Sequence, residues 1–420
     1  MSRRMYYIMT DARMQEVFCK FLINTKTVAG YRANAYNGKL RRQDMADIYD
    51  YLGWQGHIPF AQAAVNEADF LILSWLAYVD WQGVLPGPGE GAALPLPEAA
   101  KAYFLLHPQQ LEKEKPYAVN PYVSGANLLK RLMDCPRFYE IQLCGFADET
   151  DIAQEKQFSA IACITKDWGA ACFRGTDTTF VGWKEDFRLA ITHGLPAHLA
   201  AAEYVDRVPQ LQEGALYFCG HSKGGNLAIY GAAKAAGAVR RRIAAVYSFD
   251  GPGFTPDFVQ DTDYQEMLPR MRSFIPQASV VGLLMENAVP HTVVKSKGVS
   301  ILQHMALHWQ VGGTAFLPVK RITLPSRLLD VTLKKWLGRL TKQEKNRLID
   351  LLFSLLEATG VQRIEELNRK ILRHLARAIR KLAGLSWTEK KMLLRVIFLL
   401  VWTWHVSAFR IIFRSRMTAK

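Results

Sequence analysis

The chain has 420 residues, half of them hydrophobic, so it is long enough to bury a full core and to form about two or three domains. Its net charge of +15 lies in residues 321–420, which hold 22 Lys and Arg against 7 Asp and Glu. The six cysteines show no CxxC spacing, and several interrupt apolar runs, which argues against a zinc site and a disulfide framework. The first residues contain no apolar run typical of a secretion signal. We therefore predict a cytoplasmic protein without metal or cofactor.

The first half of the chain predicts an extension followed by the start of a globular domain. Residues 1–50 carry basic clusters and no motif, and we treat them as an N-terminal extension. Asn66–Trp81 predicts a helix, which a loop rich in proline and glycine ends. After Gln157, the runs "QFSAIACIT" and "WGAACFRGT" predict two strands joined by a tight hairpin at Lys166–Asp167.

The next segments alternate between strands and helices. The runs "GALYFCG" and "IAAVYSFD" predict buried strands on either side of a small-residue helix, "GGNLAIYGAAKAA". Nearly continuous apolar strands that alternate with helices are typical of a parallel sheet covered on both faces. The segments "RSFIPQASVVGLL" and "HTVVKS" predict further strands. For residues 51–320 we predict an α/β domain with a mostly parallel central sheet.

Residues 321–420 predict a basic helical region with its own partners. "TKQE" and "SWTE", at Thr341–Glu344 and Ser386–Glu389, fit capping boxes. Apolar residues recur at helical spacing between Val361 and Leu382, and arginines take the other side. Met392–Phe413 is the most apolar segment, but its uninterrupted run, Val396–Trp404, is short for a membrane span.

We interpret this tail as a peripheral contact with an anionic membrane through residues 361–413. Nucleic acid is the weaker alternative, because the tail contains no groove-reading motif. The sequence leaves the oligomeric state open.

The stretch "LYFCGHSKGGNLAIY" contains a G-x-S-x-G motif between a predicted strand and a predicted helix. This context predicts a nucleophile elbow at Ser222, a sharp turn that tolerates only small residues nearby, hence Gly220 and Gly224. Gly225 then allows the helix to pack closely on the sheet. The backbone N–H of Lys223 is a candidate donor to an oxyanion. The Lys223 side chain suggests either a preference for an anionic head group or a solvated helix start.

A serine nucleophile needs a base and an acid, which follow it in the order Ser, Asp or Glu, His in hydrolases with this turn. Asp250 ends the next predicted strand and is our preferred acid, with Glu286 as the alternative. His304, in "SILQHMALHW", is our preferred base, with His291 and His308 as alternatives.

Two motifs in this order resemble those of a known family. "FRGTDTTFVGWKEDF" followed by "CGHSKGGNLA" is similar to the fungal-type (class three) lipases. With "FDGPGF" and "PQASVVGLL", the chain more closely resembles the bacterial Mbeg-like lipase-related proteins, over about Leu52 to Gly360. The resemblance implies an α/β-hydrolase fold and a second oxyanion donor at Thr176. Class three lipases carry an acid in their N-x-x-D-x-V-P segment, where this chain has Ser279.

These observations predict a serine hydrolase of carboxylic esters, of the lipase, phospholipase or esterase type. Ser222 would be the nucleophile, His304 the base and Asp250 the acid. The alternative is a non-catalytic α/β-hydrolase scaffold that binds a protein or a membrane through its basic helical tail.

Overall fold

The computed structural model describes residues 46–112, 114–208, 211, 214–360, 377 and 379–417, with the backbone alone for 410–417. Strands and helices alternate through most of this part of the chain. In chain order they are α1 (Ile48–Gln55), α2 (Glu67–Leu76), β1 (Leu94–Pro95), α3 (Leu96–Leu106), α4 (Pro121–Leu132), β2 (Gln142–Asp151), β3 (Lys156–Ile164), β4 (Trp168–Phe173), α5 (Phe180–Leu189), α6 (Pro196–Glu203), β5 (Ala215–His221), α7 (Lys223–Lys234), α8 (Gly237–Arg242), β6 (Ile243–Phe249), α9 (Pro256–Val259), α10 (Thr262–Met267), β7 (Met271–Pro276), β8 (His291–Val294), β9 (Val311–Gly312), β10 (Ala315–Phe316), α11 (Leu324–Leu337), α12 (Lys342–Glu357) and α13 (Trp387–Met417).

The central sheet contains β1 to β8 in chain order. Strands β1 to β4 pair antiparallel, and β4 to β8 pair parallel. Phe173 of β4 pairs with Gly220 of β5, and His221 of β5 pairs with Phe249 of β6. The carboxyl ends of three neighbouring parallel strands therefore lie at one edge of the sheet, where sites form in such folds. The predicted hairpin and parallel sheet are confirmed.

Helices cover both faces of this sheet. Helix α2 is buried from Ala68 to Leu76, because every side of it faces the sheet or other helices. Its first turn is closed by the Asn66–Asp69 capping box. On the other face, α7 presents Ala228 and Ala232 to a second core that includes α6 and α10. Small side chains on α7 let its backbone approach the sheet closely, which holds the start of this helix near the end of β5.

Helices α11, α12 and α13 follow the sheet region in the described part of the chain. Both predicted capping boxes are present, at Thr341 before α12 and at Ser386 before α13. The helical stripe that the sequence predicts between Val361 and Leu382 lies mostly outside the described residues. Helix α12 packs on α5 through Phe187 and Phe353, whose rings are 5.6 Å apart. The proposed boundaries at residues 50 and 320 stay predictions.

Helix α13 is more apolar over its length than the short uninterrupted run Val396–Trp404 indicated. Its segment Trp387–Phe409 has a mean hydropathy of 1.7 and is long and apolar enough to cross a membrane by length and composition. The uninterrupted-run criterion underestimates this helix, because Arg395 divides one apolar stretch into two. Only 22% of the most apolar stretch of this helix is buried against the rest of the protein.

Candidate active site

Ser222 lies on a sharp turn between β5 and α7. Its backbone angles are φ 59° and ψ −133°, a region that costs a residue with a side chain on the order of 1–3 kcal/mol. A Cβ on Gly220 would collide with the backbone of Gly224, and a Cβ on Gly224 would collide with the backbone of Phe173. The turn is therefore open only to glycine at these two positions, and it presents the serine at the carboxyl edge of the sheet.

A chain of hydrogen bonds links Ser222 to a histidine and an aspartate. His304 Nε2 lies 3.0 Å from Ser222 Oγ, and His304 Nδ1 lies 2.7 Å from Asp250 Oδ2. An ionised carboxylate only accepts hydrogen bonds, so Nδ1 carries the proton and Nε2 accepts from the serine. Asp250 is fully buried, and its other oxygen accepts from Ser279 Oγ at 2.6 Å and Gly282 N at 3.1 Å. The aspartate is thus held on both oxygens.

The three alternative candidates lie in other environments. Glu286 is exposed, and its backbone pairs with Phe254. His291, at the start of β8, places Nδ1 2.8 Å from Ser273 Oγ. The ring of His308 stacks on Tyr117 at 4.7 Å. The structure brings Ser222, His304 and Asp250 together, and the described hydrogen bonds join none of the three alternatives to Ser222.

His221 holds the loop that carries His304. Its Nε2 donates to the backbone oxygen of His304 at 2.7 Å, and its Nδ1 accepts from the hydroxyl of Tyr78 at 3.0 Å. Burial lowers the pKa of His221 well below its usual range, and the nearby His304 adds to this effect. A neutral ring with one donor and one acceptor satisfies both contacts, so His221 positions the base through backbone and not through its own titration.

Thr176 follows β4 and lies beside the turn. A Cβ on Gly175 would approach Ser222 Cβ to 3.0 Å, so the backbone before Thr176 abuts the serine. The Thr176 hydroxyl donates to Asp186 Oδ2 at 2.5 Å. The other oxygen of Asp186 is buried and has no hydrogen-bond partner among the residues that the structure describes. Burial raises the pKa of Asp186 to about 7, while Lys223 and the Thr176 hydrogen bond oppose the shift and Glu185 and Asp177 add to it.

This raised pKa predicts a pH-dependent difference between the wild type and Asp186→Asn. Because the folded protein holds the Asp186 proton up to about pH 7 and the unfolded chain releases it near 3.8, wild-type stability falls as pH rises through this window. We expect Asp186→Asn to gain on the order of 2–3 kcal/mol of unfolding free energy relative to wild type between about pH 5 and pH 8. Denaturant titrations at both pH values measure this difference. A difference that does not change with pH would contradict the assignment.

The Lys223 side chain is buried, contrary to both sequence interpretations. It is 2% exposed and pairs with Glu185, itself 1% exposed, with Nζ 2.5 Å from Oε2. Its Nζ also donates to the backbone oxygen of Gln157 at 2.7 Å. The Glu185 carboxylate accepts from the backbone N–H groups of Gln157 and Ala197. The pair therefore ties β3, α5, α6 and α7 together, and Lys223 is not placed to bind a head group from solvent.

Several of these residues escaped the sequence reasoning. Asp186 and Glu185 stand in the quoted stretch "FRGTDTTFVGWKEDF", but their neighbours in sequence do not show which carboxylate is buried. A charged residue at Lys223, directly after the serine, was the available signal, since a lysine at a closely packed turn requires a buried partner. Tyr78 gave no local signal, and Ser279 was noted only as the residue in place of the class three acid.

The parallel sheet, the strand–serine–helix turn and the flanking helices define an α/β-hydrolase fold. The chain belongs to the Mbeg1-like family, whose model matches residues 132–354, just over half of its length. No curated protein matches the chain in sequence.

Solved structures of fungal lipases are similar to this chain at a low level. One is a lipase from Rhizopus microsporus var. chinensis, with 14% identity and a TM-score of 0.29 over 40% of this chain and 64% of that one. The propeptide complex of Rhizomucor miehei lipase has 12% identity and a TM-score of 0.30 over 43% and 72%. Lip2 lipase from Yarrowia lipolytica has 9% identity and a TM-score of 0.32 over 63% and 91%. At this level of similarity, individual residues of this chain are not matched to residues of these lipases.

Proposed function

We propose that this protein is a serine hydrolase that cleaves carboxylic esters, those of lipids among them. The observation that carries the proposal is the hydrogen-bonded series Ser222, His304 and Asp250 at the strained turn. Serine is a weak nucleophile unless a base accepts its proton, and a base is oriented best by a third group. His304 Nε2 lies within hydrogen-bond distance of Ser222 Oγ, and Asp250 orients the His304 ring.

In the proposed reaction, Ser222 Oγ attacks the ester carbonyl carbon while His304 Nε2 accepts the serine proton. Asp250 stabilises the resulting imidazolium through Nδ1. The imidazolium then donates its proton to the departing alcohol, and an acyl-serine remains. Water attacks this acyl group, His304 accepts a water proton and returns it to Ser222, and the carboxylic acid leaves.

The oxyanion of each tetrahedral intermediate would be held by the backbone N–H of Lys223 and by Thr176. The positive end of the α7 dipole supports an anion at Lys223. The Thr176 hydroxyl is held beside the turn by Asp186. With Asp186 protonated, its own hydrogen can bond the Thr176 oxygen, which leaves the threonine hydrogen available to the oxyanion.

Lipid esters are the proposed substrate class because the two motifs around Thr176 and Ser222 resemble those of lipases. The competing proposal, a scaffold that keeps the turn without catalysis, makes a different prediction for the reactivity of Ser222. An oriented base should activate this serine toward electrophiles, whereas an inert turn should not.

A fluorophosphonate probe tests the proposal on the full chain. We expect one covalent adduct per folded molecule, located on Ser222 by peptide mass spectrometry, and none in Ser222→Ala. Ser354→Ala, a substitution of the same type on α12, should label like the wild type. If the folded wild type stays unlabelled, or labels equally after Ser222→Ala, the hydrolase proposal fails and the scaffold proposal is favoured.

A further inference from the structure

Helix α13 exposes large apolar side chains although one of its sides is packed against the protein. On the packed side, Val396, Thr403 and Ser407 are at most 2% exposed, Ala408 is buried as well, and Leu393, Leu399 and Leu400 are partly buried. The opposite side carries an apolar stripe whose members are between 44% and 74% exposed: Trp387, Leu394, Phe398, Val401 and Phe409. A helix at the surface of a water-soluble protein normally presents polar side chains to the solvent. The apolar stripe is therefore matched to a medium other than water.

Specific contacts hold α13 against the preceding helices. The Trp336 indole N–H donates to the Val396 oxygen at 3.1 Å, and Arg339 donates to Thr403 Oγ1 at 2.7 Å. Arg395 pairs with Glu344 of α12. Val396 and Thr403 lie on the face opposite the apolar stripe, whereas Arg395 flanks the stripe, so α13 packs along α11 with the stripe turned outward.

Basic residues mark the start of this surface. Lys391 and Leu394 are exposed and lie on the same face as Phe398, because Leu394 follows Lys391 by three residues and Phe398 follows it by seven. Arg380 and Lys381 are exposed just before the helix. The C-terminal hundred residues hold 22 basic against 7 acidic side chains, so the region attracts negatively charged surfaces.

We propose that the apolar stripe of α13 docks in the plane of an anionic lipid bilayer. Large apolar and aromatic side chains insert at the boundary between head groups and acyl chains, while the lysines contact the anionic head groups. The helix lies in the surface and does not span it, because its other face is bonded to Trp336 and Arg339. This docking does not depend on hydrolysis, and Ser222→Ala is expected to bind membranes like the wild type.

The test measures sedimentation of the full chain with phosphatidylcholine vesicles that contain or lack phosphatidylglycerol. We expect binding only with phosphatidylglycerol and a loss of at least about tenfold in Phe398→Glu. The matched control is Leu105→Glu on α3, where an apolar residue that is more exposed than Phe398 (82% against 54%) is changed and binding should persist. The thermal transitions of both variants, measured by circular dichroism, should match the wild type.

Four outcomes would overturn the proposal. Phe398→Glu could bind as tightly as the wild type, or vesicles without phosphatidylglycerol could bind equally well. Bound protein could resist extraction by alkaline carbonate, which would indicate a spanning helix. Light scattering could show a dimer that Phe398→Glu dissociates while vesicle binding is unchanged, which would make the stripe a contact between two copies of the chain.

Discussion

Replacement of Asp250 by asparagine is expected to lower kcat/KM for ester hydrolysis by about 10⁴-fold. The carboxylate accepts the proton-bearing Nδ1 of His304 and so leaves Nε2 available to the serine. An asparagine amide can donate to Nδ1 and favour the opposite tautomer, in which Nε2 carries a hydrogen and cannot accept the proton of Ser222. The measurement is steady-state hydrolysis of a short-chain p-nitrophenyl ester, with circular dichroism to show that the variant is folded.

Glu286→Gln is the matched control, because Glu286 is the other acid that follows Ser222 in an order typical of such hydrolases. Its side chain is exposed, and its described contacts are the backbone pair with Phe254. We expect its kcat/KM to stay within about twofold of wild type. A large loss in Glu286→Gln together with a small one in Asp250→Asn would reverse the assignment of the acid.

The position of this acid differs from that of the class three lipase motif, and the structure gives a physical reason why the site tolerates the difference. Ser279 stands where that motif has its aspartate, and its hydroxyl donates to Asp250 Oδ1. The two positions therefore converge on one point, from the end of β6 and from the loop after β7. A carboxylate at one of them and a hydroxyl at the other satisfy each other, whereas two carboxylates at this distance would repel.

Lys223→Met is expected to lower the free energy of unfolding by about 3–5 kcal/mol. The change leaves the Glu185 carboxylate buried without its cation, and a buried unpaired charge is costly. Lys223→Met with Glu185→Gln should recover part of this loss, because glutamine removes the buried charge and keeps an acceptor for one of the two backbone N–H groups that Glu185 binds, those of Gln157 and Ala197. Chemical denaturation of both variants and the wild type measures the effect.

Lys234→Met, at the end of the same helix, is the control. Lys234 pairs with Asp261 and Asp263 but is 28% exposed, and partly solvated pairs contribute about 1 kcal/mol or less. Equal losses in Lys223→Met and Lys234→Met would show that burial of the first pair does not matter. A double variant no more stable than Lys223→Met would show that the loss does not arise from an unpaired Glu185.

The local pattern of the chain was sufficient for the α/β fold, the hairpin and the turn at Ser222. These features depend on neighbours in sequence: apolar runs with strand length, a small-residue helix, and glycines two residues on either side of a strained serine. The same pattern predicted where the acid and the base would lie, because the candidates for both follow the carboxyl ends of later strands. It favoured Asp250 over Glu286 but could not show which of the two carboxylates meets His304, because that depends on tertiary contacts.

The tertiary structure decided which side chains meet. From its sequence context, Lys223 was expected to face solvent or a ligand. In the structure it is buried, because it forms an ion pair with Glu185, which lies 38 positions earlier on another helix. Tyr78 forms a hydrogen bond with His221, which is 143 positions away in the sequence, and His304 forms one with Ser222, which is 82 positions away. Contacts of this range depend on how sheet and helices pack, which local periodicity does not encode. The sequence by itself determined where a nucleophile would be exposed and ranked its candidate partners, and packing decided which groups meet and support it.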